Sequence, residues 1–390
     1  MEEIGSKKEG WLFILPWPAE AVGGVNRVVL ELCRVMNSDG KFCPYILVLD
    51  WKAETPVVNV KENYIEIRYR MYTPSSNAKD FLRFLSKLPT TLKTLSSMMR
   101  EKNIKVVNPH YPGLSSLNFV FLRLLPQPFS FFISFHGTDL KEVGKASVAN
   151  RLFWKLLSKS VDKIVACSEG LLGKVNDLFP LAKNKSLYIH NGVSPDFIDN
   201  VSYQGAASLV GASKGVILSV GTFEYNKGQD VLIRALPAVL ENFPEYKLVL
   251  LGRTTDYLKS LRALIEELKI IKSVMIFENV SPDKMSSFYK EADIYVSPSR
   301  DESFGIVILE AGAIGVPVVA TKTMGAVEII KDKSDGMLVN IDDVPSLSAS
   351  INTLLKDDSL SKKYSKALQQ KVINHFTWEA SLSNYINLHE

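Results

Sequence analysis

The chain has 390 residues, of which 46% are hydrophobic and 23% are charged. This length predicts two or three domains, and the ordinary composition excludes a disordered, collagen-like or disulfide-framework protein. The net charge of +4 is unevenly divided, because residues 1–195 carry 26 Lys and Arg against 17 Asp and Glu, whereas residues 196–390 carry 20 against 25. A positive first half suits an anionic membrane surface, a phosphorylated substrate or nucleic acid, and the charge does not choose among them.

The chain shows no pattern typical of export or of a membrane span. Its three cysteines, an odd number without a CxxC pair, support neither a disulfide framework nor a zinc site and favour a reducing cytoplasm. The first apolar run, residues 11–18, is short and contains two prolines, which argues against a signal peptide. The later apolar stretch 117–135 is interrupted by an arginine and two prolines and does not predict a transmembrane helix.

Short β-branched or aromatic runs alternate with amphipathic segments of helical length along the chain, which is typical of βαβ units and parallel sheets. In the first half the predicted strands are residues 11–15, 45–49, 64–69, 106–107, 130–135, 163–166 and 187–189. In the second half they are residues 216–220, 247–251, 274–277, 293–297 and 317–320. Residues 200–215 are rich in Gly, Ala and Ser and predict a linker between two doubly wound sheets. Residues 343–390 indicate helices only.

Two stretches of the first half place unusual residues at the carboxyl end of a predicted strand, where open α/β sheets bind ligands. Gly23 and Gly24 lie between the first strand and a helix predicted to begin near Asn26, and they would let the backbone and the helix N-terminus approach an anion. A plain tight turn is the alternative. His136 follows the strand SFFISF as a candidate donor, acceptor or proton carrier, and a purely structural imidazole is equally compatible. Asp139 suits a turn or a helix cap.

A third stretch, residues 221–228, joins a predicted strand to a predicted helix and contains Lys227. A lysine near the positive end of a helix dipole is unfavourable unless an anion lies opposite it, and either a bound phosphate or Glu224 could be that anion. The pattern GxxxxGK[ST] of a P-loop is absent, although a glycine turn and a lysine before a helix can hold phosphate in the same way.

The fourth stretch contains two glutamates eight residues apart, Glu302 and Glu310, around a glycine before an apolar helix. If both lie on one helix, the rise of ~1.5 Å per residue separates them by ~12 Å, which suits an extended ligand such as a nucleoside diphosphate linked to a sugar. Glu310 stands within IVILEAGAIGVPVVA, where a carboxylate is costly unless a partner satisfies it. An exposed helix glutamate is the alternative.

In this order the four stretches resemble glycosyltransferase family 4, the retaining nucleotide-sugar transferases with the GT-B fold. The resemblance is strongest in residues 216–340, through VGTFEYNKGQDVLIRALPAVL and ADIYVSPSRDESFGIVILEAGAIGVPVVAT, and it continues in GGVNRVVLEL, HGTDL, ACSEGL and IHNGVSPDF of the first half. It implies an α/β fold of two doubly wound Rossmann-like domains with a deep inter-domain cleft. We expect an acceptor-binding domain at 1–199, a nucleotide-sugar-binding domain at 200–376, and a final helix, about 377–390, that packs on the first domain.

Carried over residue by residue, the resemblance implies that Lys227 binds the donor diphosphate, that Glu302 holds hydroxyls of the transferred sugar, and that Glu310 binds the ribose. His136 would contact the donor sugar and is grouped with Glu302 and Lys227 as catalytic. The other implied donor-binding residues are Gly24, Thr222, Phe304, Gly305 and Ile306, with backbone donors at the last three. Further residues implied to line the cleft are Gly23, Ser168, Asn191 and Arg300.

Three positions depart from the family pattern. Thr222 stands where the family often has an arginine that binds phosphate, and Arg300 or Arg253 could supply a guanidinium in its place. Ser194 stands where the family often has Asp, and Asn279 stands where it often has Gly. None of these departures affects the two glutamates.

The implied activity is transfer of a sugar with retained anomeric configuration, without a metal or other cofactor, in the biosynthesis of a cell-surface polysaccharide or glycoconjugate. The implied partners are a UDP- or GDP-sugar donor and a glycan, glycolipid or lipid-linked acceptor, and no nucleic acid. The alternatives are a nucleotide-sugar epimerase or hydrolase of the same fold, and a non-catalytic nucleotide-sugar-binding protein. A dinucleotide oxidoreductase is disfavoured because no GxGxxG follows the first strand.

We expect the protein in the cytoplasm, with contact at the inner face of the membrane as a further hypothesis. Residues 80–105 mix six Lys and Arg with seven Phe and Leu, as a basic amphipathic surface at an anionic bilayer would. Pro89 predicts a break of this segment into two pieces. A core-packed helical hairpin with a solvated basic face is the alternative.

Overall fold

The computed structural model describes residues 8–21, 23–74, 78–143, 148–198 and 215–390. Residues 200–214 of the predicted linker lie outside the described residues. The chain divides into two compact units, the first comprising Met1–His190 and Trp378–Glu390 and the second comprising Asn191–Thr377. Each unit is an α/β unit with one largely or wholly parallel sheet.

The first unit contains an eight-stranded sheet. Its strands are β1 (Glu9–Leu15), β2 (Phe42–Leu49), β3 (Val57–Val60), β4 (Ile65–Tyr69), β5 (Ile104–Pro109), β6 (Ser130–Phe135), β7 (Lys163–Ala166) and β8 (Ser186–Tyr188). Their order in the sheet is β3-β4-β2-β1-β5-β6-β7-β8, and only β3 runs antiparallel to its neighbour. The central strands are apolar throughout because a parallel sheet is covered on both faces.

Among the described residues of the first unit, six helices connect these strands. They are α1 (Gly24–Asp39), α2 (Ala78–Glu101), α3 (Leu117–Leu122), α4 (Leu140–Val143), α5 (Val148–Ser160) and α6 (Glu169–Leu178). Helix α2 continues through Pro89, so the predicted break there is wrong. Pro89 lies in the exposed half of α2, where the missing N–H removes one helical hydrogen bond, while Leu95 and Met99 anchor the other half in the core.

The second unit contains a wholly parallel six-stranded sheet. Its strands are β9 (Gly215–Val220), β10 (Tyr246–Gly252), β11 (Val274–Glu278), β12 (Ile294–Ser297), β13 (Val318–Thr321) and β14 (Met337–Val339). Their order is β11-β10-β9-β12-β13-β14. The order reverses between β9 and β12, and a topological switch point of this kind is where open α/β sheets bind ligands at the carboxyl ends of their strands.

Seven helices flank this sheet. They are α7 (Gln229–Leu240), α8 (Tyr257–Glu267), α9 (Met285–Lys290), α10 (Ile306–Ile314), α11 (Ala326–Ile329), α12 (Val344–Lys356) and α13 (Asp358–His375). Helix α10 is apolar on all sides, and it is mostly buried against α9 and α13. A helix that is hydrophobic all round must lie in the interior.

A last helix, α14 (Trp378–Asn387), returns to the first unit and packs against α1. Its Tyr385 makes an edge contact with Trp11 of β1, and its hydroxyl lies 3.1 Å from the hydroxyl of Ser134 in β6. Within the described part of the chain, no helix is both long enough and apolar enough to cross a bilayer.

Candidate active site

Lys227 ends a short 3-10 turn that follows strand β9 and immediately precedes helix α7. Gly228 behind it has a φ of 63°, and a Cβ at this position would stand 2.0 Å from the carbonyl oxygen of Pro298. Only glycine tolerates both the left-handed backbone and that close approach. The turn therefore holds Lys227 at the carboxyl end of the central strand.

Glu302 lies in the loop that leads into α10, not on the helix itself. The helix begins at Ile306, after Gly305 with a φ of 102°. The expected separation of ~12 Å between Glu302 and Glu310 assumed one continuous helix, and this assumption is wrong, because helical rise applies only from Ile306 to Glu310, about 6 Å. The loop is held by a hydrogen bond from the N–H of Gly325 to the carbonyl of Glu302, at 3.1 Å.

Lys227 and Glu302, separated by 75 residues in the chain, form an ion pair. The Nζ of Lys227 donates a hydrogen bond to Oε2 of Glu302 at 2.7 Å. Burial alone would lower the pKa of Lys227, but Glu302, aided by Glu224 and Asp301, raises it above its ordinary value. Lys227 is therefore a permanent cation here.

Glu310 is only 1% exposed, which excludes the alternative of a solvent-exposed helix glutamate. The hydroxyl of Tyr289 in α9 donates to its Oε2 at 2.8 Å. This partner offsets part of the cost of burying a carboxylate in an apolar helix. Sequence reasoning missed Tyr289, because its pairing with Glu310 depends on how α9 packs against α10.

His136 lies at the end of β6 in the first unit and contacts His110, which follows the neighbouring strand β5. Nε2 of His136 is 3.0 Å from Nδ1 of His110, and the two rings stack with centroids 5.1 Å apart. Burial lowers the pKa of His136 to about 4 and that of His110 well below its ordinary value. Both imidazoles are therefore neutral at pH 7. The sequence signal that could have found His110 was its place after a strand adjacent to β6.

Asp139 holds the loop that carries His136. Its carboxylate accepts hydrogen bonds from the backbone N–H groups of His136, Gly137 and Leu140, at 2.7 to 3.1 Å. Burial nevertheless raises the pKa of Asp139 to about 6, because these bonds offset only part of its desolvation. The predicted turn or cap role describes this residue well.

Two family models match successive parts of the chain. Glycosyltransferase Family 4 matches residues 22–197, and Glycosyl transferases group 1 matches residues 206–371. The chain belongs to the glycosyltransferases that these two models describe. The transferase interpretation is thereby supported over the epimerase, the hydrolase and the non-catalytic alternatives.

Three known proteins illustrate how similar the relatives of this glycosyltransferase are. A phosphatidyl-myo-inositol mannosyltransferase of Mycobacterium leprae is 26% identical over 97% of this chain and 95% of its own length. An uncharacterized glycosyltransferase of Methanocaldococcus jannaschii is 30% identical, over only 58% of this chain and 60% of its own. The crystal structure of Anabaena Alr3699/HepE in complex with UDP superposes with a TM-score of 0.72 at 19% identity, covering 97% of this chain and 98% of that one. The fold is thus the predicted GT-B fold.

The guanidinium of Arg300, a candidate replacement for the family arginine at Thr222, is bound by protein groups in this glycosyltransferase. Its guanidinium binds both carboxylate oxygens of Asp230 at 2.7 and 2.8 Å, Oδ1 of Asp342 at 2.7 Å and the carbonyl of Tyr225 at 2.6 Å. It also stacks over the ring of Tyr225 at 3.9 Å. All three nitrogens are engaged, so Arg300 fastens the turn that ends at Lys227.

Arg253, the other candidate replacement for the family arginine, is bound less tightly by protein groups than Arg300. It follows β10, its carbonyl accepts a hydrogen bond from the N–H of Phe223 in the adjacent loop, and its side chain is half exposed. Its ion pair with Glu224 is long, at 3.7 Å. The neighbouring Thr222 is held through its carbonyl, which accepts a hydrogen bond from the buried Gln229 at 3.1 Å.

Gly23 and Gly24 lie at the start of α1, and both are exposed. A Cβ at either glycine would have no atom within 4 Å, and the φ of Gly23, 175°, is one that any residue adopts. Neither packing nor this dihedral requires glycine. The loop before them is folded onto α1 by Asn26, whose amide donates to the carbonyls of Pro18 and Ala19 at 2.8 and 2.9 Å.

Three further predicted residues are buried. Ser168 is fully buried and caps α6, accepting a hydrogen bond from the N–H of Leu171 at 3.1 Å. The ring of Phe304 packs in the core of the second unit beside Phe376. Asn191 is buried and belongs to the second unit, although it was predicted in the first domain.

The departure at Asn279 has a simple physical basis. Asn279 has a φ of 54°, a left-handed conformation that glycine adopts without strain and that asparagine tolerates better than other residues. Its amide also exchanges hydrogen bonds with the backbone and hydroxyl of Thr254, at 3.2 and 3.0 Å.

Within the described residues, no cluster of three His, Cys, Asp or Glu is placed to hold a metal ion.

Proposed function

We propose that this glycosyltransferase moves a sugar from a nucleoside diphosphate sugar to a lipid-linked or glycan acceptor, with retained anomeric configuration and without a metal. The observation that carries the proposal is the pair of Lys227 and Glu302 at the carboxyl end of the second sheet, 2.7 Å apart. A cation and a carboxylate at one point suit a ligand that offers both phosphate oxygens and hydroxyl groups.

The donor is assigned to the second unit. When the donor binds, its diphosphate takes the place of Glu302 beside Lys227. Glu302, released from the lysine, then accepts hydrogen bonds from the sugar hydroxyls. Glu310 binds the ribose, and the backbone N–H groups of Phe304, Gly305 and Ile306, at the start of α10, donate to the sugar or phosphate. The UDP bound in the Anabaena structure of the same fold supports a uridine nucleotide as the first donor to examine.

The proposed transfer reaction develops negative charge next to Lys227. The bond between the anomeric carbon and the diphosphate oxygen breaks, the acceptor oxygen bonds to the same face of that carbon, and its proton passes to the departing diphosphate. Negative charge grows on the diphosphate as the bond breaks, and the fixed cation of Lys227 stabilises it there. Because the cation of Lys227 is already in place, no reorganisation is needed as the bond breaks. We therefore assign Lys227 the largest contribution to stabilising the transition state.

The acceptor is assigned to the first unit, together with His136 as a contact to the transferred sugar. The Mycobacterium leprae relative is named for transfer to phosphatidyl-myo-inositol, and that name supports a lipid acceptor for this chain. Gly23 and Gly24 offer an open helix start at which a phosphate of either substrate fits.

Contact with the membrane is proposed at the exposed start of α2. Phe81, Leu82 and Leu85 are 44%, 64% and 45% exposed, and Arg83 and Lys87 lie among them. Apolar side chains beside cations suit the interface of a bilayer that contains anionic lipids. A lipid acceptor would be reached from the inner face of the membrane.

The test is an assay of sugar transfer and donor hydrolysis with UDP-glucose, UDP-N-acetylglucosamine and GDP-mannose, in EDTA and in Mg²⁺, with the anomeric configuration of the product read by NMR. We expect one donor to react equally in both buffers with retention. Lys227→Met and Glu302→Gln should each lower kcat/KM at least ~100-fold, the usual scale for losing a group that stabilises transition-state charge.

Lys259→Met is the matched control, because Lys259 is 84% exposed and pairs with the exposed Asp256, which immediately precedes its helix. It should retain full activity. Turnover unchanged in Lys227→Met would remove that residue from the site, and inversion of configuration would overturn the proposed mechanism. Binding of a nucleotide sugar without any turnover would favour a non-catalytic binding protein.

A further inference from the structure

Two histidines lie side by side at the carboxyl ends of neighbouring parallel strands. Strand β5 ends at Pro109 and β6 ends at Phe135, so His110 and His136 follow the two strands at the same edge of the sheet. Nδ1 of His110 and Nε2 of His136 are 3.0 Å apart, a hydrogen-bonding distance. One of these nitrogens must carry the proton, and the neighbours of His110 decide which one.

Asn108 sets the direction of this hydrogen-bond chain. Its amide nitrogen donates to the hydroxyl of Ser134 at 3.0 Å, so its carbonyl oxygen is the atom that faces Nε2 of His110, at 3.1 Å. A carbonyl only accepts, and therefore Nε2 of His110 is protonated. In a neutral imidazole the other nitrogen is then an acceptor, so Nδ1 of His110 receives the Nε2 proton of His136.

We propose that His110 is a positioning residue for His136: it fixes the orientation of that imidazole and the tautomer in which Nδ1 of His136 is a hydrogen-bond acceptor. This inference rests on the proposed function in one respect, the contact of His136 with substrate. Nδ1 of His136 has no hydrogen-bond partner among the described residues. It is thus available to accept a hydrogen bond from a sugar hydroxyl.

The surroundings keep the pair neutral, as this role requires. Burial lowers the pKa of His136 to about 4 and that of His110 well below its ordinary value, because a protonated ring would be a charge removed from water. The other titratable groups that face the pair are Asp139, which binds the backbone of His136, and Tyr385 of α14, with Cys167 close to the tyrosine. Burial raises the pKa of Asp139 and of Tyr385, so both are less readily charged than usual.

The direct test is NMR of the full chain with ¹⁵N-labelled imidazoles, without any substrate. The chain has five histidines, and single His→Asn variants assign their signals. We expect His136 to carry its proton on Nε2 and to remain neutral from pH 8 to pH 5. A proton on Nδ1 of His136, or titration near its ordinary pKa, would overturn the proposal. Because ¹⁵N shifts report the ring itself, titration of Asp139 does not confuse the result.

His110→Phe keeps the ring volume between Phe13 and Tyr385 and removes the acceptor. We expect His136 to populate both tautomers in this variant. Asn108→Asp is the second variant, since it keeps an acceptor for His110 and adds a negative charge. It should raise the pKa of His136 and create a pH dependence between pH 5 and 7 that the unchanged protein lacks. A pKa unaffected by Asn108→Asp would show that the chain of bonds does not reach His136.

Activity provides an independent test. His110→Phe should lower kcat/KM about tenfold, and His136→Ala should lower it further. In the double variant, the change at His110 should add no loss, because its effect passes through His136. An additive loss would assign His110 a separate role and contradict the proposal. If the unchanged chain transfers no sugar, the proposed function fails while the NMR measurement still decides the tautomer.

Discussion

Arg300 shows how one side chain can hold the turn that positions Lys227. Its guanidinium joins Asp230 of α7, Asp342 and the carbonyl of Tyr225, the residue two positions before Lys227. Its bonds to Asp230 raise the pKa of Arg300 above its ordinary value, so it is always charged. This planar, bidentate geometry is one that lysine cannot reproduce.

We therefore expect Arg300→Lys to loosen the turn that carries Lys227. The variant loses at least two charge-assisted hydrogen bonds in a mostly buried cluster, which would cost about 2–3 kcal/mol of unfolding free energy. The KM for the nucleotide sugar should rise several-fold while its product keeps the same configuration. Denaturant unfolding and steady-state kinetics measure the two effects.

Arg262→Lys is the control, since Arg262 pairs with Glu278 at a half-exposed position outside this turn. Its stability and its KM should remain close to those of the unchanged chain. If Arg300→Lys had no more effect than Arg262→Lys, Arg300 would not position Lys227.

For individual residues, the sequence predicted those that stand out in their local pattern. It missed those whose role depends on a partner distant in the chain. Glu310 could be singled out because a carboxylate in an apolar helix needs a partner. Its partner Tyr289 could not be predicted, since their contact forms only when α9 packs on α10. The pairing of His110 with His136 depends likewise on strand neighbours.

Helix α1 begins at two glycines that its own packing does not require. Glycine inside a helix is less favourable than alanine by up to ~1 kcal/mol, and a Cβ at Gly24 would meet no atom within 4 Å. The proposed close approach of a ligand to the helix start would account for a glycine at this position.

Gly24→Ala should therefore separate stability from activity. We expect the unfolding temperature to stay the same or rise, because alanine is the better helix former and meets no atom. The kcat/KM for transfer should fall at least ~10-fold, because a methyl group then occupies the ligand's space. Thermal unfolding and the transfer assay measure these two quantities on one preparation.

Gly173, an interior residue of α6 whose Cβ would also meet no atom, is the matched control. Gly173→Ala should gain stability and lose no activity. A Gly24→Ala variant that behaved in the same way would show that α1 begins in an ordinary turn.

Each of the twelve predicted strands overlaps a strand of the structure, and the two strands that were missed, β3 and β14, both lie at a sheet edge. Strand β3 contains three valines, but it has only four residues, all of them exposed, and it pairs only with β4. Strand β14 has three residues, too few for a periodic pattern. Such short runs do not stand out in the sequence, and only pairing with a neighbour identifies them as strands.

At the scale of the whole molecule, the division into two units was predictable from the repeated alternation of strands and helices, but its boundary was not. The structure divides the chain after His190, ahead of the Gly-, Ala- and Ser-rich segment at 200–215 that suggested the boundary. Composition indicates where a chain is free to cross, whereas contacts decide which residues belong to each core. The family resemblance, not the composition, implied that α14 returns to the first unit.

The proposed membrane contact at the exposed start of α2 leads to a prediction for the whole molecule. We expect the protein to bind vesicles of phosphatidylcholine and phosphatidylglycerol at low salt and to leave them as salt rises, because the attraction to cations is screened. Leu82→Glu should weaken binding more than tenfold, since it removes apolar area and adds a repelled charge. Vesicle co-sedimentation measures the bound fraction.

Ile271→Glu provides the matched control, because Ile271 is 60% exposed and belongs to the second unit. It should bind vesicles like the unchanged chain. Absence of binding to anionic vesicles, or equal loss in both variants, would contradict membrane contact through α2.

The ion pair of Lys227 and Glu302 has a kinetic consequence. Two opposite charges 2.7 Å apart act at a distance as a dipole, whose field fades faster than that of a lone cation. The carboxylates of Glu224 and Asp301 also lie close enough to act on Lys227, so the charged groups around this lysine are mostly negative. An anionic donor is therefore not steered inward from afar. It arrives by ordinary diffusion and displaces Glu302 on contact, so its association rate constant should depend only weakly on ionic strength.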